Sequence, residues 1–517
     1  MKKMYALFLA LLIIVSSASF AVAEEERLLE GITLSYWYPM WAWEAEFVGT
    51  GDMSDLPFYA SLEEELGCTI EWILPPVDNS AAIAALNVLL ASSDLPDIIT
   101  HPYHTYYPAG NDAAIEDGVY IDLKPYLPEY APEYWAILQE DPEMLKQVTT
   151  DAGYIWCFYM IDSFAQPSHG GPVWNKTYLD QVNDGKVPET IDEMYEVLKK
   201  FKSELDLQYP IYDDGASYLP FAWGVKNDFY LDEAGKVQYG PVQEGWKEYL
   251  RNMAQWYAEG LLAPDYQAPI GASEAWVAGE VGVGYHGFNN ITEWTSLATS
   301  AGVEDFAMIA AEYPTLESGQ SVRFKANHNY RAQQNCTAIT ADCEEPEAAI
   351  QFLNAKFTEE NILKSNYGIE GVNYTMVDGK PQYTEETAYP TEPGMTLGIM
   401  LYKFALGKGP YYRIMDRNWF THLPEAIDAM YLWDGSTDGG TGDIPDPFLS
   451  LTVEEGEEYS AIVNDVQTYA DEARMKFITG EWDVDADWDE YVRTIEGMDI
   501  ERAIEIKQSA VERYNAR

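Results

Sequence analysis

Cations are scarce in this chain. Its 517 residues carry 31 Lys and Arg against 86 Asp and Glu, with 6 His, for a formal net charge of −55. A field of that sign repels polyphosphates and anionic lipid surfaces at long range, so nucleic acid is excluded as a partner and a polyanionic ligand is disfavoured. Only convergence of local bases such as Arg323, Lys325, Arg331, Arg413 and Arg417 would reverse this. Cysteine is also rare, with Cys68, Cys157, Cys336 and Cys343 and no C-x-x-C pair. Four cysteines in so long a chain make no disulfide scaffold, and spacing does not dictate their pairing, although Cys336 and Cys343 are close. Without C-x-x-C, a structural zinc site of that type is not expected. Also missing are the G-x-S-x-G elbow, H-E-x-x-H and a glycine-rich phosphate loop. His101-Pro102-Tyr103-His104 has i, i+3 spacing, but Pro102 favours a loop, so no metal is expected there and no cofactor is implied. Apolar runs long enough to approach the roughly 20 residues of a bilayer span are confined to the amino terminus.

That terminus has three parts. Lys2 and Lys3 precede an apolar run over 5–15, and a small-residue tract ends in Ala21-Val22-Ala23 before Glu24-Glu25-Glu26. Charged start, short apolar core and an A-x-A end describe a secretory signal peptide, 1–23, cleaved after Ala23. The mature chain is expected outside the cytoplasm, extracellular or in the cell envelope. Loss of Lys2 and Lys3 takes the charge from −55 to −57. The remaining residues, 47% hydrophobic across the whole chain, exceed one ordinary domain and fit two or three.

Strands and helices then alternate. Ile32-Thr33-Leu34-Ser35-Tyr36 reads as a buried strand, and residues 58–66 as an amphipathic helix stopped by Gly67. Residues 69–74 read as a second strand, and Asn79-Ser80 as the cap of a helix to about Ser92. Residues 97–100 are a third strand. This order predicts an α/β fold with a parallel sheet covered on both faces, whose ligands bind beyond the carboxyl ends of the strands. Further on, residues 154–161 read as an aromatic strand passing between lobes, and Thr190 as the cap of a helix over 191–201. A helix over 245–259 stops at Gly260, a glycine-rich strand over 281–284 leads into Tyr285-His286, and a strand near 336–339 precedes a helix over 347–357. The one evident flexible loop is Asp434 to Asp443; it is not an EF-hand, because Pro445 stands where the bidentate glutamate belongs.

Several fragments, in this order, resemble one family. They are Ser92-Ser93-Asp94-Leu95-Pro96-Asp97-Ile98-Ile99, Tyr120-Ile121-Asp122-Leu123 with Pro125-Tyr126-Leu127, and Trp174-Asn175-Lys176-Thr177-Tyr178-Leu179. Glu259-Gly260-Leu261-Leu262-Ala263-Pro264-Asp265, Pro346 to Asn354 and Tyr367-Gly368-Ile369-Glu370-Gly371-Val372-Asn373-Tyr374 continue the series. The tail, with Lys476-Phe477-Ile478-Thr479-Gly480-Glu481, Trp488-Asp489-Glu490-Tyr491-Val492 and Ala510-Val511-Glu512-Arg513-Tyr514, is the most specific part. Together they resemble the extracellular solute-binding proteins of the large sugar-binding family that serves ABC importers, in its long-chain branch. The resemblance implies a two-lobed periplasmic-binding-protein-like fold, with a hinge and a ligand cleft between lobes. Carried onto this chain, the first lobe is 27–155 plus 330–385 and the second 156–329 plus 386–517. It implies a carbohydrate ligand, docking on ABC permease subunits, a monomer, and no catalytic residue. Two family features are absent. No cysteine stands at the signal cleavage site or anywhere before Cys68, so lipid attachment is not expected, and Asp206 to Asp214 lacks the calcium-loop spacing of some relatives.

A sugar presents hydroxyls in its ring plane and an apolar C–H face, which flat aromatic rings and planar polar side chains meet. With 16 Trp and 38 Tyr, most aromatics must be packing, so position after strands is what selects candidates. Trp41, Trp43, His101 and Tyr103 follow first-lobe strands, and Tyr285 and His286 close a second-lobe strand. Trp174, Trp223 and Glu370, the last between two permissive glycines, complete the candidate ligand set. The competing, and preferred, reading of Glu370 is a turn-stabilising carboxylate. The competing function is a secreted glycoside hydrolase, which 86 acidic residues do not exclude by count. The mature amino terminus is predicted at Glu24 without lipid. Intact-mass measurement of the native protein checks this, and a diacylglycerol adduct or a retained Met1 contradicts it.

Overall fold

The computed structural model describes residues 27–49, 51–92, 94–102, 107, 110–267, 271–303, 305–326, 330–388, 390–391, 397–417 and 421–517. The signal peptide and Tyr103 lie outside the described residues, as does the side chain of Trp43. No helix among the described residues is long and apolar enough to cross a membrane.

Strand β1 (Thr33–Trp37) is followed by α1 (Ala42–Val48) and α2 (Pro57–Leu66). α2 opens on a proline, whose missing N–H costs nothing in a first turn, and stops at Gly67 with φ 78°. After β2 (Thr69–Ile73) comes α3 (Asn79–Leu90), capped not by Asn79-Ser80 but by Asp78, whose carboxylate accepts the Ala81 N–H at 2.9 Å. β3 (Ile98–Thr100) is buried throughout. The remaining strands are β4 (Phe158–Asp162), β5 (Gly170–Asn175), β6 (Tyr209–Ile211), β7 (Phe229–Leu231), β8 (Val237–Tyr239), β9 (Val281–Gly287) and β10 (Met308–Ala310), then β11 (Ala332–Ile339), β12 (Tyr374–Val377), β13 (Lys380–Tyr383) and β14 (Tyr412–Arg413).

Two larger sheets result. The first has six strands in the order β14-β4-β11-β3-β1-β2, and the second four in the order β10-β5-β9-β6. The first sheet is not purely parallel. β1 pairs parallel with β2 and β3, and β14 with β4, but β11 enters antiparallel between β3 and β4. Each sheet has its own core. Tyr36, Leu62, Ile99, Phe158, Ile161 and Ile350 belong to the first; Trp174, Phe201, Ile211, Trp246, Val283 and Phe477 belong to the second. The second core is covered by amphipathic helices. α4 (Ile191–Leu205), capped by Thr190, buries Ile191, Met194, Val197, Leu198 and Phe201 at helical spacing, and α5 (Glu244–Ala258) buries Trp246, Tyr249, Leu250, Met253 and Trp256.

The chain passes between the sheets three times: after β4 through 163–169, after β10 through 311–331, and after β14 toward α6 (Pro424–Gly435), which packs on β5 and β10. This corrects the sequence reading at two places. Residues 154–161 do not bridge the lobes; β4 is a fully buried strand of the first sheet, and the crossing comes after it. β4 and β14, assigned by sequence to the second lobe, hydrogen-bond into the first sheet, because β11 returns to pair with β4 and the segment around Leu406 and Tyr411 fills the first core.

The crossings are tied by one buried group. Arg413 grips the Asp162 carboxylate with two bonds of 2.7 Å, and Asp162 is fully buried. The Asp162 N–H donates to the Arg331 carbonyl at 2.7 Å, while Arg331 Nε donates to the Asp162 carbonyl at 3.0 Å. Ser163 N–H reaches the Arg413 carbonyl at 2.9 Å. Asp162 and Ser163, at the start of the first crossing, are thus bonded to Arg331 at the end of the second and to Arg413 at the start of the third. Burial works against the Arg413 charge, but the adjoining Asp162 carboxylate outweighs it and holds the guanidinium pKa above its ordinary value. A strap lies elsewhere on the molecule. The final helix, α8 (Ile500–Ala516), packs on the long α7 (Val453–Thr479), yet its Arg513 and the terminal Arg517 both bond Asp151 of the first lobe, at 2.8 and 2.7 Å.

Two stability predictions follow from this packing. Removing one partner of a buried hydrogen-bonded charge pair typically costs about 3–5 kcal/mol, whereas removing both costs much less. Arg413→Met is expected to destabilise by that order, and Asp162→Leu/Arg413→Met to recover part of it, as read by denaturant unfolding. Equal losses in both variants contradict the pairing. Lys356 is fully buried, with its ammonium 5.6, 5.1 and 5.3 Å from the rings of Tyr36, Tyr59 and Phe352 and no hydrogen-bond partner. Burial pushes its pKa from 10.5 down to about 7. Between those values the unfolded chain binds more protons than the native one, so stability rises with pH over that window and is lost as pH falls toward 7. Lys356→Met is expected to raise stability at pH 6–7 and to flatten this rise; an unchanged slope in thermal unfolding between about pH 7 and 10 rules the assignment out.

Candidate functional site

The strand directions converge on one side of each sheet. β1, β3, β4 and β14 run the same way, so Trp37, Thr100, Asp162 and Arg413 end at the edge where the chain crosses. In the second sheet Gly170, at the start of β5, faces Gly287 at the end of β9, and β6 runs parallel to β9. The carboxyl ends of β6 and β9 therefore lie at the entry of the first crossing. Loops gathered at carboxyl ends beside a chain crossover form the ligand crevice of open α/β sheets.

On the first sheet the loop after β1 carries Trp41, half-buried, whose N–H donates to Glu44 Oε2 at 2.7 Å. The same carboxylate accepts the Tyr38 hydroxyl through Oε1 at 2.9 Å. Lys408 comes from the segment leading into β14; its ammonium donates to the Pro39 carbonyl and lies 5.1 and 5.2 Å from the Tyr38 and Trp41 rings. On the second sheet Tyr285 is half-buried and stacks on Tyr218, with ring centroids 6.0 Å apart and planes at 25°. A side chain at Gly170 would meet the Tyr285 hydroxyl at 2.7 Å, so this glycine leaves room for the ring at the crossing. Asp213, two residues beyond β6, accepts the Gly215 N–H at 2.7 Å. Burial first, and the neighbouring Asp214 second, push its carboxyl pKa up to about 6. Asp214 itself pairs with Arg474 at 3.0 Å.

Of the residues singled out in the sequence, the structure brings Trp41 and Tyr285 to this pair of edges. Trp43 lies in α1, with its side chain outside the description, and Tyr103 is outside it altogether. The others are placed differently. His101 is fully buried, with Nε2 2.7 Å from the Tyr120 hydroxyl and its ring against Trp156, which is a core histidine. His286 is 7% exposed, and its Nε2 accepts the Trp276 indole N–H at 2.8 Å. Since an indole only donates, that nitrogen is unprotonated, and burial pushes the pKa down to about 3. The alternation of β9 explains the split, since successive side chains take opposite faces and His286 turns into Trp276 and Trp294 where Tyr285 does not. Trp174 lies in the second core against Phe201, and Trp223 closes a short 3-10 turn against Tyr249 of α5. Glu370 is exposed in the turn before β12, bridged to Tyr374 through its backbone.

Sequence reasoning missed Asp213, Glu44 and Lys408. Asp213 offered a signal, an acid just past a short strand, but the Asp206 to Asp214 stretch was weighed only against a calcium loop. Lys408 offered none, being far in sequence from the loop it holds. In the Asp434 to Asp443 stretch the two end carboxylates are held by lysines, Lys325 on Asp434 at 2.6 Å and Lys226 on Asp443 at 2.8 Å, and Asp438 accepts from Thr441. Among the described residues no three His, Cys, Asp or Glu side chains are grouped to hold a metal ion.

Known proteins match the chain along most of its length. A family model described as bacterial extracellular solute-binding protein matches residues 58–391. The fructooligosaccharide ABC transporter substrate-binding protein FusA of Streptococcus pneumoniae is 23% identical over 499 residues, covering 88% of this chain and 86% of that protein. Lipoprotein LipO of Bacillus subtilis is 24% identical over 455 residues, covering 83% of each. The crystal structure of alginate-binding protein AlgQ2 without calcium ion superposes with a TM-score of 0.74 at 22% identity, covering 93% of this chain and 98% of that one. With these matches the fold is the two-lobed periplasmic-binding-protein-like one, and the chain belongs to the bacterial extracellular solute-binding protein family.

Proposed function

We propose that the protein is the substrate-capturing component of an ABC importer, taking a neutral oligosaccharide between its lobes and delivering it to a membrane permease as a monomer. One observation carries this reading: flat, half-buried rings, Trp41 and Tyr285, stand on the crossing-side edges of the two sheets, with the Asp213 carboxylate beside the second. A ring supplies the apolar platform for a sugar face, and a carboxylate accepts its hydroxyls. The first lobe is proposed as 27–162 with 332–413, and the second as 170–310 with most of the chain after 424. FusA is described as binding fructooligosaccharide, which supports the ligand class.

Neutrality of the ligand rests on charge. Of the five bases whose convergence would favour a polyanion, three are paired with carboxylates of the protein, Arg413 with Asp162, Arg331 with Asp141 and Lys325 with Asp434, while Arg323 donates to the Leu231 carbonyl and Arg417 to the Tyr411 hydroxyl. Capture requires no bond cleavage, so no residue is assigned a catalytic role. Binding favours the closed form only through contacts that the open form lacks. The protein is proposed to work outside the cytoplasm after removal of 1–23. LipO, described as a lipoprotein, keeps the mass of the amino terminus a necessary measurement.

A thermal-shift panel of sugars tests the ligand class, since a ligand at 100 times its Kd stabilises by about 2.7 kcal/mol. Stabilisation by polyanions, peptides or metal ions alone overturns it, and recovery of shortened sugar identifies a hydrolase instead. With the sugar found, Trp41→Ala and Tyr285→Ala are each expected to cost about 1–3 kcal/mol of binding, roughly five- to 150-fold in Kd. Tyr431→Ala, at an exposed ring, is expected to cost nothing. Affinity should also weaken as pH falls through about 6, where Asp213 takes up a proton, and Asp213→Asn should abolish that dependence. Calorimetry on folded variants decides. Wild-type affinity in both ring variants places the site elsewhere.

A further inference from the structure

We propose that Glu44 and Lys408 are the positioning pair of the Trp41 platform, gripping separate groups of the turn 38–41 so that the indole is presented to ligand in one orientation. This rests on the reading of Trp41 as a ligand-facing ring.

Two buried charges here place their bonds on the same turn. Glu44 is 3% exposed and Lys408 2%, so each has lost most of its hydration. Two opposite charges in such a place ordinarily recover that loss by bonding each other. These do not. Glu44 gives one oxygen to the Trp41 N–H and the other to the Tyr38 hydroxyl, and Lys408 donates to the Pro39 carbonyl. Three groups of a four-residue turn are thereby fixed, while the two charges attract each other without bonding. The ammonium also lies 5.2 Å from the Trp41 ring centre, within cation–π range, which sets the tilt of the ring as well as the path of the backbone. A side chain held in this way is pre-organised, and a rigid platform loses less freedom on binding than a mobile one. Lys408 lies five residues before Arg413, so the platform is connected through a short stretch of chain to the knot at the crossings.

The groups around Lys408 define its titration. Glu44 of α1 and Tyr38 beyond β1 face it directly; Tyr59 of α2 and Tyr36 of β1 stand behind Tyr38, with Lys356 on their far side. Burial pushes the Lys408 pKa down to about 8, and the Glu44 charge limits the fall.

The test needs no sugar. The full chain is labelled with 5-fluorotryptophan, and the Trp41 fluorine signal, assigned by its loss in Trp41→Phe, is followed from pH 6 to 10. The expected wild-type signal is narrow and shifts with a midpoint near 8. In Lys408→Met it should broaden and stop titrating, while Lys408→Arg should keep it narrow with no titration in this range. Glu44→Gln should move the midpoint to lower pH, because the charge that supports the ammonium is gone. The Trp482 signal, over Lys476 at 4.7 Å, should stay unchanged in all of these and reports intact folding. A Trp41 signal in Lys408→Met that matches wild type in width and pH response overturns the proposal. So does a wild-type midpoint that vanishes in Lys356→Met rather than in Lys408→Met. Should Lys408→Met fail to fold, Lys408→Arg and Glu44→Gln decide by the same readout. With no ligand in the sample, failure here leaves the sugar-stacking role of Trp41 standing, and failure of sugar binding leaves this positioning role standing.

Discussion

The bidentate contact between Arg413 and Asp162 is the constraint on which the two-lobed architecture depends. Both groups leave water to make it, and Asp162 is fully buried. Such a pair adds little net stability compared with an apolar substitute, but it fixes relative position, because neither charge tolerates separation from the other. Here it fixes the place where three chain segments pass between two sheets. The backbone bonds between Asp162 and Arg331 and between Ser163 and Arg413 complete the tie. A junction of this kind lets the lobes pivot about a fixed point while holding the carboxyl ends of their strands toward each other. The contacts of Arg513 and Arg517 with Asp151 add a further restraint between the carboxyl-terminal helix and the first lobe.

From that point the division of labour among the aromatics follows. A chain with 16 Trp and 38 Tyr must bury many of them, and some are buried with their polar atoms paired while others, such as Tyr239 and Trp246, are packed with the polar atom unpaired among the described residues. Tyr134 donates from a fully buried position to no solvent, its hydroxyl instead accepting the Tyr159 N–H at 3.0 Å. Trp276 is satisfied by His286. What distinguishes Trp41 and Tyr285 is partial burial at strand ends beside the crossings, with neighbours that hold each ring from behind. Tyr218 stacks under Tyr285, while Lys408 and Glu44 brace Trp41. Binding is proposed to use these edges because they are the surfaces that approach when the lobes pivot.

Much of this was legible in the sequence. Helix stops at Gly67 and Gly260, the cap at Thr190 and the strand–helix alternation of the first 100 residues all depend on local chemistry, and local chemistry is written in local sequence. The fold class followed from the order of motifs. What was not legible depends on distant pairing. The antiparallel entry of β11 is decided by contacts between residues 332–339 and two strands far upstream, and it is this that draws β4 and β14 into the first sheet. Candidate residues divided on the same principle. Position after a strand puts Trp41 and Tyr285 at sheet edges, but it does not say which of Tyr285 and His286 faces inward. That is settled by the register of β9 against β5 and by the indole of Trp276. Asp213 was hidden by a comparison with a calcium loop, and Lys408 by the 369 residues that separate it from Pro39.

Ligand is proposed to be held between lobes that pivot about the Asp162–Arg413 tie. Small-angle scattering of the full-length mature protein, with and without a saturating oligosaccharide proven to bind by calorimetry, tests it most directly. The account predicts a smaller radius of gyration and a shorter maximum dimension with sugar bound. A radius unchanged by a sugar shown to be bound in the same sample would contradict it.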